Sequence, residues 1–261
     1  MPPREEWNLD THHIGRRVLV FDRIDSTNTQ AAALAHDASN DGLVLLADEQ
    51  TAGRGRQDRP WKCPRGTSVL LSVLLFPRPA VRRPVLLAAW VANSVCETIL
   101  QVTGLEAQIK WPNDVLMHGR KVCGILIEQG CGTVVGLGLN VNQTERSFAE
   151  AGLLQAGSLA QSAGRRLDRQ RIARLLIAQL DDQYERLQQE DFATLQRCWK
   201  QRLGLLGKQV VIEGYDRTYH GRLRELAWDG IDIESFDGKV LRIAPEVIKH
   251  IIATRITGGS F

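Results

Sequence analysis

Hydrophobic and polar positions along this chain follow two periods, and the switches between them outline the elements. Val18-Leu-Val-Phe-Asp-Arg-Ile24 is apolar and β-branched, as a strand requires. Asp25-Ser-Thr-Asn28 then sets side-chain oxygens ahead of Ala31 to His36, predicting a strand that runs into a capped helix. Gly42 to Asp48 predicts a second strand. Ser68 to Phe76 predicts a third, whose unbroken apolar run suits a sheet centre, ended by Pro77 and Pro79. Pro84 to Gln101 reads as a long buried helix. Its apolar part, Pro84 to Leu100, is interrupted by Asn93, Ser94 and Glu97 and reads as too short and too polar to span a bilayer. Ala107 to Trp111 predicts a short strand halted by Pro112. Val115 to Met117 and Val122 to Glu128 predict strands joined at His118-Gly119, and Thr133 to Val141 another.

Residues 1–15 read as a poorly ordered lead without a signal peptide, and Asn142 to Arg166 as irregular. Asp168 is placed to cap an amphipathic helix carrying Ile172, Leu175, Leu176, Leu180, Tyr184 and Leu187. Asp191 is placed to cap a second, through Arg202. Beyond Gly204 to Gly207 the texture changes to short runs at Gln209–Glu213, Arg217–Trp228, Gly230–Glu234 and Val240–Ile243, separated by turn signals. The fold class expected is α+β. A mixed, mostly antiparallel sheet with flanking helices would fill residues 1–204, and a small β-barrel of SH3 size residues 205–261.

Composition narrows the function classes. The apolar fraction of 43% is that of a globular protein, and a net charge of +3 makes no global case for nucleic acid or membrane. The five cysteines are odd in number and form no Cys-x-x-Cys pair, so the chain reads as cytoplasmic with reduced thiols, not as a zinc or disulfide framework. Cys123 reads as core, while Cys63 lies beside a loop of interest.

That loop is Glu49-Gln-Thr-Ala-Gly-Arg-Gly-Arg-Gln-Asp-Arg-Pro-Trp61. Gly53 and Gly55 permit positive φ or close ligand approach. Arg54 and Arg56, two apart, would point the same way on extended backbone and suit an anion. The segment reads as a mobile flap, with Trp61 as a lid or stacking surface. Gln50 just before it can both donate and accept, which suits a urea or amide. Ser26, Thr27 and Asn28 serve either as helix caps or as contacts to a small heterocycle. Lys110-Trp-Pro-Asn-Asp114 and Arg120-Lys-Val-Cys-Gly124 gather ammonium, amide and carboxylate groups. Asp114 is a candidate Mg²⁺ ligand alongside substrate phosphates. Gly136-Leu-Gly-Leu-Asn140 lacks the third glycine of a dinucleotide fingerprint, and no P-loop motif occurs.

In this order the segments resemble biotin protein ligase: Ile24-Asp-Ser-Thr-Asn28, Glu49 to Arg56 with Trp61, Lys110 to Asp114, Arg120 to Glu128, and Gly136 to Asn140. The resemblance is strong over residues 18 to 145. It implies a class II synthetase-like catalytic domain that activates biotin with MgATP to biotinyl-5′-AMP. Biotin then passes to one lysine of a biotin carboxyl carrier domain. It implies biotin contacts from Ser26, Thr27, Asn28, Gln50, Gly53, Arg54, Gly55, Arg56, Lys121 and Gly124. ATP contacts would come from Arg56, Trp61, Lys110, Asn113 and Asn140, with the metal at Asp114. Arg54, Arg56 and Lys121 would be catalytic, neutralising the approach of two anions.

Two departures from the family pattern stand out. Asp58 and Pro60 occupy flap positions where the family has a small residue and no proline. Only about 17 residues precede the first expected strand, too few for the DNA-binding domain of repressor members, so no DNA partner is expected. Two other readings remain: a lipoate or octanoate ligase of the same fold, and a non-catalytic biotin sensor. The expected state is a monomer or homodimer.

Overall fold

The computed structural model describes residues 2–254, apart from the side chain of Asp58. The end of the expected barrel segment, from residue 255 on, lies outside the described residues. In chain order come β1 (Glu5–Trp7), β2 (Val18–Ile24), α1 (Thr27–Ala33), β3 (Val44–Gln50), β4 (Ser68–Leu75) and α2 (Pro84–Thr103). They are followed by β5 (Gln108–Lys110), β6 (Asp114–Met117), β7 (Arg120–Gln129) and β8 (Thr133–Asn140). Next are α3 (Glu145–Glu150), α4 (Leu159–Ala163), α5 (Arg169–Gln188) and α6 (Phe192–Leu203). β9 (Gln209–Gly214), β10 (Thr218–Leu226), β11 (Ile231–Glu234), β12 (Val240–Ile243) and β13 (Ile248–Ala253) close the chain.

The first eight strands form one sheet in the order β1-β2-β3-β4-β8-β7-β6-β5, antiparallel except for the β2–β3 pair. That parallel pair needs a crossover, and α1 supplies it. Strand alternation sends Val18, Val20, Val44 and Leu46 to one core and Leu19, Phe21, Leu45 and Ala47 to a second on the other face. Both faces are therefore covered. Every residue of β4 and β8 is buried, as expected for a sheet centre. The β6–β7 hairpin turns through His118 (φ 49°) and Gly119 (φ 75°), both left-handed. The last five strands form a separate antiparallel sheet, β12-β11-β10-β9-β13.

Some expectations are corrected. The first 15 residues are not a loose lead: β1 pairs with β2, and Ile14 is fully buried. Asp181 holds this segment by accepting the backbone N–H groups of His12, His13 and Ile14 at 2.6, 2.8 and 2.6 Å. The stretch read as irregular carries α3 and α4, each with a capping box at Thr144 or Ser158. These helices are too short for their periodicity to show. β13 was missed; it pairs with β9 and completes the second sheet.

α2 runs 20 residues, long and apolar enough to cross a bilayer, so the length argument from sequence fails. Its place in the fold is decided by packing. Leu86, Leu87, Trp90, Val91, Val95 and Ile99 are all buried, largely against α5 and the sheet. Asn93 and Ser94, also buried, bond to Leu195 O and Trp90 O. The caps expected at Asp168 and Asp191 are present. α6 joins the two sheets: Trp199 stacks on Trp228 at 4.9 Å and lies 5.7 Å from Trp111.

Candidate active site

Parallel pairing of β2 with β3 sets Ile24 beside Gln50. The segments that follow, Asp25–Asn28 and Gln50–Trp61, therefore leave the sheet side by side. Thr51 N and Ala52 N donate to Ile24 O and Asp25 O at 2.9 and 2.8 Å, which fastens the flap's base. With β7 and β8 as floor, these segments enclose a cavity of about 290 Å³.

One end of the cavity is a buried polar cluster. Thr27 N and Oγ1 donate to Gln50 Oε1 at 2.7 and 2.9 Å. Because the backbone N–H can only donate, Gln50 must present its oxygen here and turn its NH₂ elsewhere. Ser72 Oγ lies 2.7 Å from Thr27 Oγ1 and 2.6 Å from Asn28 Oδ1. Ser26 occupies the N-cap of α1 but makes no side-chain capping bond, so the capping alternative fails for it. Asp25 takes part of that work, accepting from Ser26 N at 2.6 Å and Gln30 Nε2 at 2.9 Å. Burial opposes its charge, yet these bonds hold its carboxyl below the usual value.

The flap is a turn, not an extended segment. Trp61 N donates to Gly53 O at 2.8 Å and Gly55 N to Arg59 O at 2.7 Å. The left-handed residue is Gln57 (φ 56°), while Gly55 sits at φ −117°. Glycine serves at Gly53 by closeness instead: a Cβ there would lie 2.7 Å from Trp61 O. The turn also separates the two arginines expected to align. Arg54 reaches Thr29 Oγ1 at 3.0 Å and Glu128 at 2.9 Å; Arg56 reaches toward Asn113 Oδ1 at 3.5 Å. Trp61 is not a lid above the site. Its indole lies on the floor, where a Cβ on Gly124 would come within 2.9 Å of it and one on Gly138 would overlap it. The room expected beside Gly124 is thus taken by Trp61 and Lys121.

The other end carries charge. Lys121 Nζ lies 2.6 Å from Asp114 Oδ1, a close charge pair that is not aligned as a hydrogen bond. The same Nζ is 5.6 Å from the Trp61 ring centre. Asn113 Nδ2 donates to Ile125 O at 2.6 Å, fixing the turn between β5 and β6. Among the described residues no group of three or more His, Cys, Asp or Glu side chains is placed to hold a metal.

Of the residues singled out from sequence, Ser26, Thr27, Asn28, Gln50, Arg54, Gly55, Arg56, Trp61, Asn113, Asp114, Lys121, Gly124 and Asn140 line this one cavity. Gly53 backs it. Lys110 does not line it: it is exposed on β5, the last strand of the sheet. Asn140 has its amide engaged, donating to Gly157 O at 3.1 Å and accepting from Gln143 Nε2 at 2.8 Å. It fixes the wall that brings Ala156 against Lys121. Cys63 is half-buried, and burial raises its thiol pKa, so no thiolate chemistry is indicated.

Comparison with known proteins decides the kinship. Residues 20–142 match the model of the biotin/lipoate A/B protein ligase family. The chain is 32% identical to the biotin–[acetyl-CoA-carboxylase] ligase of Paracoccus denitrificans, over 80% of this chain and 88% of that one. The chain belongs to the biotin/lipoate A/B protein ligase family. The bifunctional ligase/repressor BirA of Bacillus subtilis is 30% identical over 97% of this chain and 77% of its own. Among solved structures, the biotin protein ligase from Aquifex aeolicus in complex with biotin and ATP superposes with a TM-score of 0.78. It is 25% identical, covering 91% of this chain and 99% of that one.

Within this ligase family the site holds residues that motif reading passed over. Ser72 joins the polar cluster; a serine in the middle of a wholly buried strand needs a partner, which was the available signal. Lys249 and His250 reach the cavity from β13, where no sequence signal marked them.

Proposed function

We propose that this chain activates biotin with ATP to biotinyl-5′-AMP, releasing pyrophosphate. It then transfers the biotinyl group to one lysine of a biotin carboxyl carrier domain. The observation that carries the reading is the two-ended cavity. Ser26, Thr27, Asn28 and Gln50 form a hydrogen-bonding end, and Arg56, Lys121 and Asp114 a charged end. In this reading residues 1–204 are the catalytic domain and the second sheet is an accessory barrel.

The polar end takes the urea, with the Gln50 NH₂ donating to its carbonyl. Biotin's carboxylate is thereby aimed at Lys121 and Arg56. Both reactants are anionic there, and these cations offset the repulsion as the carboxylate oxygen bonds to the α-phosphorus and the bond to pyrophosphate breaks. Arg54, Gly53, Gly55 and Gly124 belong to the biotin side; Trp61 and Asn113, with Arg56, to the nucleotide side. Holding both reactants in one cavity supplies much of the remaining acceleration. In the second step the lysine amine attacks the anhydride carbonyl, AMP leaves and the amine loses a proton.

Asp114 would hold a Mg²⁺ carried in on the phosphates. Its Oδ1 is buried without an aligned hydrogen bond, and Mg²⁺ bound with phosphates needs one or two carboxylates. Such an ion neutralises charge on the leaving pyrophosphate. Lys110 and Asn140 have no direct role in this scheme.

The test is purified protein with biotin, ATP, Mg²⁺ and a carrier domain, read as pyrophosphate released and biotin on lysine. Lipoate in place of biotin is the control. Turnover with lipoate and none with biotin would overturn the assignment.

A further inference from the structure

Glu128, at the end of the β7 motif, does not line the cavity, yet it bonds two residues that do. Its Oε2 accepts from Asn28 Nδ2 at 2.7 Å, and Arg54 Nη2 lies 2.9 and 3.2 Å from its two oxygens. A carboxylate offers acceptors only. Asn28 must therefore turn its NH₂ to Glu128 and its carbonyl oxygen to Ser72. A Cβ at Gly136 would collide with that oxygen, so the glycine keeps the place open.

Counting protons then gives an asymmetry. Thr27 Oγ1 gives its proton to Gln50 Oε1. Ser72 has one proton and two oxygens in reach, Thr27 Oγ1 at 2.7 Å and Asn28 Oδ1 at 2.6 Å. The cluster is one proton short. Such a site gains from a ligand that donates, because a buried acceptor left unpaired has lost its water and gained nothing in return.

We propose that Glu128 is a positioning residue that fixes this acceptor polarity, so that the cavity selects a ring bearing N–H donors. The inference rests on the biotin reading above. A cyclic urea supplies the missing proton; the dithiolane of lipoate has none to give. Glu128 acts through Asn28, and Arg54 keeps its carboxylate in place.

The experiment compares wild type with Glu128→Gln, Asn28→Asp and the double variant, by calorimetric titration with biotin and by steady-state kinetics. An amide in place of the Glu128 carboxylate accepts either orientation of Asn28, so biotin affinity should fall about tenfold, the equivalent of 1.4 kcal/mol. KM for biotin should rise while kcat and KM for ATP hold. Asn28→Asp alone sets two carboxylates together and should lose more. In the double variant the introduced amide donates its NH₂ to the introduced carboxylate, whose other oxygen still faces Ser72. Affinity should then return to within a few-fold of wild type. The double variant moves the negative charge to position 28 and leaves an amide against Arg54, so recovery would not come from rebuilding the direct pair with residue 128. Unchanged biotin affinity in Glu128→Gln, or losses that multiply in the double variant, would overturn the proposal. If wild-type protein binds no biotin, the proposed function itself falls, and this inference with it.

Discussion

Gly124 of β7 and Gly138 of β8 are partners across the ladder, and one indole, that of Trp61, covers both. The flap is therefore seated by a pair of missing side chains. Gly138→Ala places a methyl group inside the indole's position and must push Trp61 off the floor. Overpacking of this kind costs about 1–3 kcal/mol. Because Trp61 is half-exposed, the ring can move without unfolding the sheet. The expected outcome is a KM for ATP or biotin raised roughly 10- to 100-fold with little change in melting temperature, checked by pyrophosphate release and thermal unfolding.

Lys121→Ala removes the cation next to Asp114. Loss of one preorganised charge at a developing anion costs roughly 10²–10³ in kcat. Its side chain is 36% exposed, and ion pairs of that exposure contribute about 0–1 kcal/mol to folding. Adenylate formation should therefore collapse while the melting temperature scarcely moves. A variant that keeps full turnover would remove Lys121 from the scheme.

The flap from Gly53 to Trp61 is tied to itself by three backbone bonds and to β7 by the Arg54–Glu128 pair, and its arginines are at least partly exposed. Ligand anions add partners for Arg54 and Arg56. With ligand at 100 times its Kd, local opening should become roughly 100-fold rarer. Trypsin cleavage after Arg54 and Arg56 should slow accordingly in the presence of biotin and ATP. Equal cleavage with and without ligand would mean that the flap does not close on them.

The sheet and its loops were legible because their signals are local. Val18–Ile24 and Ser68–Leu75 carry strand texture, and His118-Gly119 carries hairpin chemistry. The site segments were legible as motifs. What was missed depends on distant partners. Residues 1–15 gain order from Asp181, which lies more than 160 positions along the chain. Lys249 reaches the cavity because α6 and the Trp199–Trp228 stack join the second sheet to the first. Arg54 and Arg56 diverge because the chain turns from Arg56 to Asp58, a turn whose left-handed residue, Gln57, is not a glycine and so does not announce it.

The N-terminal anchor makes a prediction about pH. His13 stacks on Tyr184 at 5.3 Å, and its Nε2 lies 3.2 Å from Asp41 Oδ2, with Asp181 and Arg16 as the other charges near it. The Asp41 carboxylate at this distance outweighs burial and raises the His13 pKa above its ordinary 6.5. A group whose folded pKa is raised adds stability that is complete below the unfolded value and disappears as pH climbs through the folded one. For Asp41, burial acts against the charge, but the nearby His13 and the bond from Phe76 N keep its pKa below 3.8. Its contribution is lost only in acid, well away from the histidine window. Denaturant midpoints should therefore fall as the pH rises above the ordinary histidine value of 6.5, and the fall should be smaller in His13→Gln. Parallel slopes in the two proteins would show that the pair does not link proton binding to folding.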